Sequence, residues 1–277
     1  MRGSASRQQG FSLIELIVVI VVLGIISVGS TQYIVNSAES YRDTALRERQ
    51  GSAARVAIEK ISRELRNALP NSARTSASNE CLEFVPVLGG SVYTSLPLLS
   101  ASSAFTSVPF ITDGAPELGR VAVYPLSTAG IYAPSTTSAS ASSISPPLDS
   151  SQVPADLEGS SEISVQLQSA HRFPFDSPQR RWFMVSDPVS FCVDPAGRLF
   201  RYSGYGFSAV QPVPGTFPSG QEQVSAGRAL LARGVSGSFV VQPATLQRNA
   251  LVQLDLDFRE QGEGLRLNHE VQLRNVP

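Results

Sequence analysis

The sequence predicts an α+β fold, in which a long N-terminal helix, first transmembrane and then amphipathic, packs on an antiparallel β-rich globular head. Three observations carry this prediction. Residues 16–28 are nearly all Ile, Val and Leu, and no charge lies between Glu15 and Glu39. Apolar residues then recur at three- and four-residue steps until Pro70. From Val252 onwards, apolar and polar side chains alternate, as in strands with one buried face.

The composition supports a folded chain and narrows its chemistry. The chain has 277 residues, of which 42% are hydrophobic, and a formal net charge of -1. A charge near zero gives no reason to expect nucleic acid as a partner. The sequence has only two cysteines and two histidines and contains no zinc-protease, hydrolase or phosphate-loop motif. We therefore expect neither an enzyme nor a protein with a cofactor or metal site.

The apolar run is long enough to cross a bilayer, because about 20 apolar residues span its core as a helix. Arg2 and Arg7 precede the run, so the positive-inside rule places residues 1–10 in the cytoplasm and the head across the membrane. We assign residues 11–35 to the transmembrane part of the helix and residues 36–70 to its amphipathic continuation.

The junction between the polar leader and the apolar run falls at Gly10-Phe11, and no small-residue signal-peptidase site follows the run. The stretch Gly10-Phe11-Ser12-Leu13-Ile14-Glu15-Leu16 resembles the class III leader junction of type IV pilins and type II secretion pseudopilins. The resemblance implies that residues 1–10 are a leader peptide. It also implies that a prepilin peptidase cleaves after Gly10 and methylates the new N-terminus, Phe11. The alternative is a plain signal anchor that carries an acidic residue by chance.

Glu15 is a carboxylate close to the start of this apolar segment. A charged side chain costs on the order of 2.5–3.5 kcal/mol at the centre of a transmembrane helix and less near its end, so it is expected to be functional. The resemblance implies that Glu15 acts in assembly, by pairing with the N-terminal amine of a neighbouring subunit. The uppermost subunit of such pili often lacks this glutamate, so its presence implies a position beneath another subunit.

The resemblance also implies partners and a location. The partners are other minor and major pilins, the prepilin peptidase, the inner-membrane assembly machinery and the membrane itself. Before assembly the chain is expected in the inner membrane with its head in the periplasm. Afterwards it is expected in a surface pilus, where it stays at the tip, unless it works only at the membrane base. Gly24 and Gly29 interrupt the apolar run. They indicate either local extension of the helix in a filament or close helix packing through small residues.

Further stretches narrow the resemblance to the minor pilins of the mannose-sensitive haemagglutinin (MSHA) type IV pilus. They are residues 58–74, 81–87, 187–207 and 275–277. The resemblance fails over about residues 90–160. It implies a subunit that helps to initiate or cap a pilus and contributes to attachment. The nearest alternative is a J-like pseudopilin of type II secretion, and the alternative from another class is a membrane-anchored periplasmic enzyme.

One face of the helix beyond the membrane is expected to be covered by a β-sheet. This face carries Ala54, Ile58, Ile61, Leu65 and Ala68. The helix is predicted to end at Leu69, because proline follows at position 70.

Short runs bounded by Gly, Pro, Asp or Ser predict the strands of a head that spans residues 71–277. The predicted strands are 81–87, 120–124, 163–167, 181–186, 189–193 and 199–202. Residues 194–198 predict a turn, and residues 252–258 and 265–273 predict a closing hairpin. The Ser/Pro-rich stretch 134–161 predicts an exposed loop or disordered insert, either adhesive or passive.

Cys81 and Cys192 lie across the membrane, in an oxidising compartment if the cell is Gram-negative, where we expect a disulfide rather than two free thiols. His269 falls on the apolar face of its strand and is expected to be a core histidine with a hydrogen-bonded tip. His171 is expected in a loop. An acidic group near the C-terminus indicates either a calcium site or a solvated strand face. Its members are Asp255, Asp257, Glu260 and Glu263.

Overall fold

A computed structural model describes most of the chain as one long helix followed by antiparallel β-structure. The described residues are 11–109, 119–133, 141–149, 161–218, 227–245, 248–260 and 262–273. The chain divides into two compact units, Met1–Arg49 and Gln50–Pro277. The α+β arrangement predicted from the sequence is confirmed.

The first unit contains the N-terminal part of helix α1 (Leu13–Arg66). Every side chain from Phe11 to Ser40 is exposed, including the whole Ile, Val and Leu run. The helix contains an 18-residue window that is apolar enough to cross a membrane, and none of that window is buried.

The second unit begins with the amphipathic part of α1. All five residues of the predicted apolar face are buried. The helix ends at Arg66, however, so the predicted end at Leu69 is wrong. Asn67 and Leu69 instead pair with the backbone of the head, since the Asn67 carbonyl accepts from Val87 N at 2.9 Å and Leu69 N donates to the Val85 carbonyl at 2.8 Å. These contacts satisfy the backbone groups that one more helical turn would have used.

The head contains fourteen strands and a short helix, α2 (Thr128–Tyr132), among the described residues. The strands are β1 (Arg74–Thr75), β2 (Cys81–Phe84), β3 (Val87–Ser95), β4 (Ser102–Ser107), β5 (Arg120–Ala122), β6 (Ile144–Pro147), β7 (Ile163–His171), β8 (Arg181–Val185), β9 (Val189–Val193), β10 (Arg198–Tyr202), β11 (Arg228–Arg233), β12 (Val235–Gln242), β13 (Leu251–Glu260) and β14 (Glu263–Gln272).

Two of the three sheets form, together with α1 from Gln50, what we term the helix-packed body. One sheet has the order β1-β2-β9-β10-β11 and the other the order β12-β13-β14, and all of their pairs are antiparallel. A single hydrophobic core joins helix residues such as Ile61 and Leu65 to Phe84, Phe191 and Leu254. The apolar stripe of the helix is therefore covered by sheet, as predicted.

The third sheet, β6-β5-β8-β3-β4-β7, is inserted between β2 and β9. Its two outer strands also meet, because Leu148 bridges Leu167 and Asp149 N donates to the Gln166 carbonyl at 3.0 Å. These contacts close the sheet into what we term the inserted barrel, which comprises the described residues between 87 and 185. The barrel has a core of its own, in which the ring of Phe105 meets that of Trp182 edge-on at 5.6 Å.

The inserted barrel overturns one prediction. The Ser/Pro-rich stretch 134–161 was expected to be an exposed loop or a disordered insert, and residues 134–140 and 150–160 of it lie outside the described residues. Its middle forms β6, with Ser143, Ile144 and Ser145 buried. Serine tolerates burial here because its hydroxyl is hydrogen-bonded, for example Ser145 Oγ, which accepts from Val121 N at 2.9 Å.

Strands predicted in the body are found close to their predicted limits. The closing hairpin pairs β13 with β14 without a register shift, and the predicted turn follows β9, where Asp194 Oδ1 accepts from Ala196 N at 3.0 Å and from Arg198 N at 2.9 Å. Burial alone would raise the pKa of Asp194, but the hydrogen bonds from Arg198 and Ala196 outweigh it and lower that pKa. The predicted strand 81–87 is in fact two strands, since β2 ends at Phe84 and β3 begins at Val87.

Candidate functional site

The N-terminal end of α1 is a capped helix start. Ser12 precedes the helix, and its side-chain oxygen accepts from Glu15 N at 3.3 Å. Ser12 therefore caps the helix, and Ser12 and Glu15 occupy the N-cap and N3 positions of the S-x-x-E capping-box pattern, of which the bond to the Ser12 side chain is formed here. This signal is readable in the sequence, although the sequence reasoning above missed it.

Glu15 thus has a local role in addition to any role in assembly. A carboxylate in the first turn is favoured by the helix dipole, and Glu15 is the acidic residue of that turn. The side chain of Glu15 makes no hydrogen bond or ion pair with any described residue. Phe11 stands just outside the helix with 82% of its surface exposed. Gly10, the predicted cleavage position, lies outside the described residues.

Gly24 and Gly29 lie within the continuous helix. A Cβ atom added at either position would meet no atom within 4 Å. Within the isolated chain, no close contact therefore requires glycine at either position. Local extension in a filament and close helix packing both involve a neighbouring helix.

Cys81 and Cys192 form the predicted disulfide, with an S–S distance of 2.06 Å. They are directly opposite each other on β2 and β9, and both are fully buried. Because the barrel is inserted between these two strands, the disulfide crosslinks the two-stranded stem from which the barrel leaves the body. The rings of Phe200, Tyr202, Tyr205 and Phe217 cluster around it.

A buried ion pair lies next to this stem. Glu83 on β2 has no exposed side-chain surface; its Oε2 lies 2.5 Å from Arg74 Nε, and its Oε1 accepts from the Tyr205 hydroxyl at 2.8 Å. Burial raises the pKa of Glu83, although hydrogen bonds and charge from Arg74 partly oppose the shift. Arg74 also lies over the ring of Tyr132, 3.5 Å from its centroid.

The ion pair links the body to the barrel region. The Arg74 guanidinium donates to the Ala209 and Ser208 carbonyls at 2.8 and 2.7 Å, and the Tyr132 hydroxyl donates to the Ser72 carbonyl at 2.8 Å. These contacts join β1, helix α2 and the segment after β10. This set of hydrogen bonds is characteristic of a structural connection. The connection is not predictable from the sequence, because the residues that form it are far apart along the chain.

The burial of each histidine differs from the burial that the sequence predicts. His171 is the last residue of β7 rather than a loop residue, and only 1% of it is exposed. Its Nε2 lies 2.9 Å from the Ser142 carbonyl, and its ring meets Phe173 edge-on at 4.6 Å. Burial lowers the pKa of His171, although the bond to Ser142 partly opposes the shift. His269, predicted to be in the core, is only half-buried and lines an open groove beside α1.

Two acidic residues of the closing hairpin, Asp255 and Asp257, are paired with arginine. Asp255 receives two hydrogen bonds from Arg266, at 2.9 and 2.6 Å, and Arg259 Nε donates to Asp257 at 2.8 Å. The bond from Arg266 lowers the pKa of Asp255. In the part of the chain that the structure describes, no three His, Cys, Asp or Glu side chains are grouped so that they could hold a metal ion.

Comparison with known proteins identifies the N-terminal signal. Residues 5–31 match the family model described as the prokaryotic N-terminal methylation motif. No curated protein and no solved structure matches the chain. The matched segment contains Gly10, Phe11, Glu15 and both helix glycines. The chain thus carries the signal of type IV pilins and pseudopilins, which implies processing by a prepilin peptidase and assembly with other pilins.

Proposed function

We propose that this chain is a minor pilin of an MSHA-type type IV pilus, similar to the MSHA biogenesis protein MshO, that helps to initiate and cap pilus assembly. The observation that carries the proposal is the methylation motif at residues 5–31. A capped, fully exposed apolar helix directly after the Gly10-Phe11 junction supports it, because cleavage there removes the charged leader and retains the helix. The protein acts structurally, as an anchor and packing unit, and not as an enzyme.

In this proposal Glu15 pairs with the methylated amine of Phe11 of a neighbouring subunit. Each charge alone is unfavourable in the bilayer, and pairing removes much of that penalty while setting the register between two subunits. In the structure Glu15 is left without an ionic partner among the described residues, so its charge is available for a contact between subunits.

The helix cap offers a competing explanation for Glu15, and two substitutions separate the two. Glutamine is accepted at the N3 position of a capping box, whereas alanine is not. If assembly needs the charge, Glu15→Gln and Glu15→Ala both lose incorporation into filaments. If the residue only caps the helix, Glu15→Gln retains incorporation, and Ser12→Ala impairs it as much as Glu15→Ala does.

The first experiment is mass spectrometry of the N-terminal peptide from sheared surface filaments and, separately, from membranes. A peptide that begins with N-methylated Phe11 in sheared filaments supports the pilus subunit. The same peptide in membranes alone supports the second candidate, a J-like pseudopilin of type II secretion, which shares this N-terminal chemistry. A chain that is uncut at Gly10 overturns both.

The third candidate is a membrane-anchored periplasmic enzyme, and its prediction is different. Its activity would survive replacement of residues 11–30 by an unrelated transmembrane helix, because the segment would serve only as an anchor. The pilin proposal predicts that the same replacement abolishes incorporation while the disulfide-linked head stays folded. In both cases, the folding of the head is monitored by the protection of its buried amides from hydrogen exchange.

A further inference from the structure

The groove in which His269 lies runs between α1 and β14. It has a volume of about 440 Å³, and both elements that line it belong to the helix-packed body. Ile58 and Leu267 supply its apolar part. The helix wall carries Arg55, Arg63 and Arg66, which are more basic groups than its one acidic residue, Glu59, can neutralise.

Two of these arginines have no ionic partner in the part of the chain that the structure describes. Arg63 is paired with Glu59 at 3.0 Å, whereas Arg55 and Arg66 form no ion pair with any described residue. Arg66 lies in the last turn of α1, where the helix dipole favours a cation. That explanation does not extend to Arg55, which lies three turns earlier. The groove is therefore complementary to negative charge.

The other wall of the groove is an open sheet edge. β14 is the outer strand of the order β12-β13-β14, and within the described residues it pairs with β13 alone. It is ten residues long, has no proline, and keeps its register with β13 throughout. Natural proteins usually protect such edges by shortening, bulging or covering them, because a regular edge readily accepts another strand.

We propose that the free edge of β14 accepts an extended, acidic segment of a neighbouring subunit as a fourth strand, with carboxylates that enter the groove and meet Arg55 and Arg66. Strand addition supplies affinity through backbone hydrogen bonds, and the side chains at alternate positions supply specificity. A strand beside β14 points every second side chain towards the helix wall, which is where the unpaired arginines lie. The identity of the partner as a subunit rests on the proposed function; the binding chemistry does not.

The test uses the chain of 277 residues with a strand attached after Pro277. β14 ends at Gln272, five residues before the end of the sequence, so a strand fused after Pro277 through a flexible linker can fold back against β14. One fusion carries four Thr-Glu repeats and the other carries four Thr-Lys repeats. A short flexible linker holds the strand at an effective concentration on the order of millimolar, which makes a weak preference measurable. The readout is hydrogen exchange of the β14 amides in detergent-solubilised protein.

We expect the Thr-Glu fusion to slow exchange of the outward-facing β14 amides at least tenfold relative to the Thr-Lys fusion. In the Arg55→Glu/Arg66→Glu variant the order reverses, and the Thr-Lys strand protects better. Arg181→Glu, which changes an exposed arginine on β8 of the barrel, leaves the original order intact. The amides of β13, which is paired on both sides, serve as the internal reference for folding.

Equal protection by both fusions, no protection by either, or an unchanged preference in the double variant would overturn the proposal. These outcomes are independent of cleavage at Gly10. A protein that is processed and incorporated but shows no strand preference refutes the groove proposal alone, and an unprocessed protein with a clear preference refutes the pilin proposal alone.

Discussion

The helix-packed body and the inserted barrel bury their cores in different ways. The core of the body includes residues from α1, so it is complete only when the helix lies against its sheets. The core of the barrel draws only on residues between Tyr93 and Met184 and includes no helix residue. A third, smaller cluster combines residues from both sides of the boundary, such as Leu69 and Tyr132.

This difference determines which substitutions affect the helix. In the body, a substitution must suit both the helix and the strands that cover it. A barrel with its own core can change its sequence without disturbing the helix.

Trp182→Ala is expected to have the largest effect on this comparison. Trp182 is fully buried in the barrel core and donates to Ser107 Oγ at 2.7 Å. Truncating a buried aromatic side chain costs about 3–5 kcal/mol. Because the two cores share no residue, hydrogen exchange should accelerate first across β3 to β8 while the body retains its protection.

Phe191→Ala is the matched change in the body. Phe191 is also fully buried, stacks with Phe84 at 6.1 Å and belongs to the core that holds α1. It should accelerate exchange in residues 50–66 of α1 and in β12 to β14. If Trp182→Ala exposes the amides of the body as quickly as those of the barrel, the two regions unfold as one unit and the comparison fails.

Removing the disulfide with Cys81→Ala/Cys192→Ala should lower the free energy of unfolding by about 2–5 kcal/mol. The crosslinked residues are 111 positions apart, so the bond restricts a long loop of the unfolded chain that contains the whole barrel. The effect should appear as a lower denaturation midpoint with unchanged hydrogen-exchange boundaries in the native state.

Wild-type protein unfolded with a reductant is the control for that experiment, and it should match the double variant. A variant whose midpoint equals that of the oxidised wild type would show that the stem holds through its strand pairing and the surrounding aromatic cluster alone.

Glu83→Gln tests the polar link between the two regions. The change leaves Arg74, which is only 16% exposed, without its counter-charge. We expect a loss of about 1–3 kcal/mol at neutral pH. Glu80→Gln, on an exposed residue just before β2, is the control and should have little effect.

The pH dependence of this difference has a defined sign. The pKa of Glu83 is raised in the folded protein, so the folded state binds this proton more tightly than the unfolded state does. The proton-linked part of the contribution of Glu83 to stability is therefore greatest at acid pH and is lost as the pH rises through its folded pKa. Denaturation at pH 7, 6 and 5 should show wild type gaining stability relative to Glu83→Gln as the pH falls. A gap that narrows towards acid would mean that pairing with Arg74 outweighs burial.

The periodic elements of this fold were predictable from the sequence, and the elements that break their own pattern were not. The helix stripe and the closing hairpin each repeat a single period over many residues, so chance matches are few. β12 was missed because Gly237 interrupts it. The glycine is required there, since its φ is +146° and a Cβ atom would lie 2.0 Å from the Asp255 carbonyl oxygen. Gly90 interrupts the pattern of β3 in the same way, and a Cβ atom there would lie 2.7 Å from the Trp182 carbonyl oxygen.

Alternation along a strand predicts which face a side chain occupies but not how far that face is covered. His269 is on the apolar face of β14, as predicted, yet β14 is an edge strand and α1 covers it only in part. His171 is buried because β7 extends beyond the predicted end at Leu167 and closes against the segment before β6. Both outcomes depend on long-range pairing that no local window contains.

Ser62→Ala should have the smallest effect and the opposite sign. Ser62 lies in α1 under the groove with 5% of its surface exposed, and its hydroxyl has no hydrogen-bond partner among the described residues. Removing it eliminates an unsatisfied polar group and places a better helix former in the helix. We expect the free energy of unfolding to rise by about 0.5–1 kcal/mol.

Ser52→Ala, at an exposed position of the same helix, isolates the propensity part of that gain. The excess of the Ser62 effect over the Ser52 effect measures the cost of burying the hydroxyl. If Ser62→Ala instead destabilises the protein, the hydroxyl has a partner in solution. If Ser62→Ala stabilises the protein but reduces the strand preference of the Thr-Glu fusion, the Ser62 hydroxyl contributes to binding in the groove. The helix-packed body would then retain an unsatisfied hydroxyl for binding, at a cost in stability. The barrel core, which is self-contained, would not carry this cost.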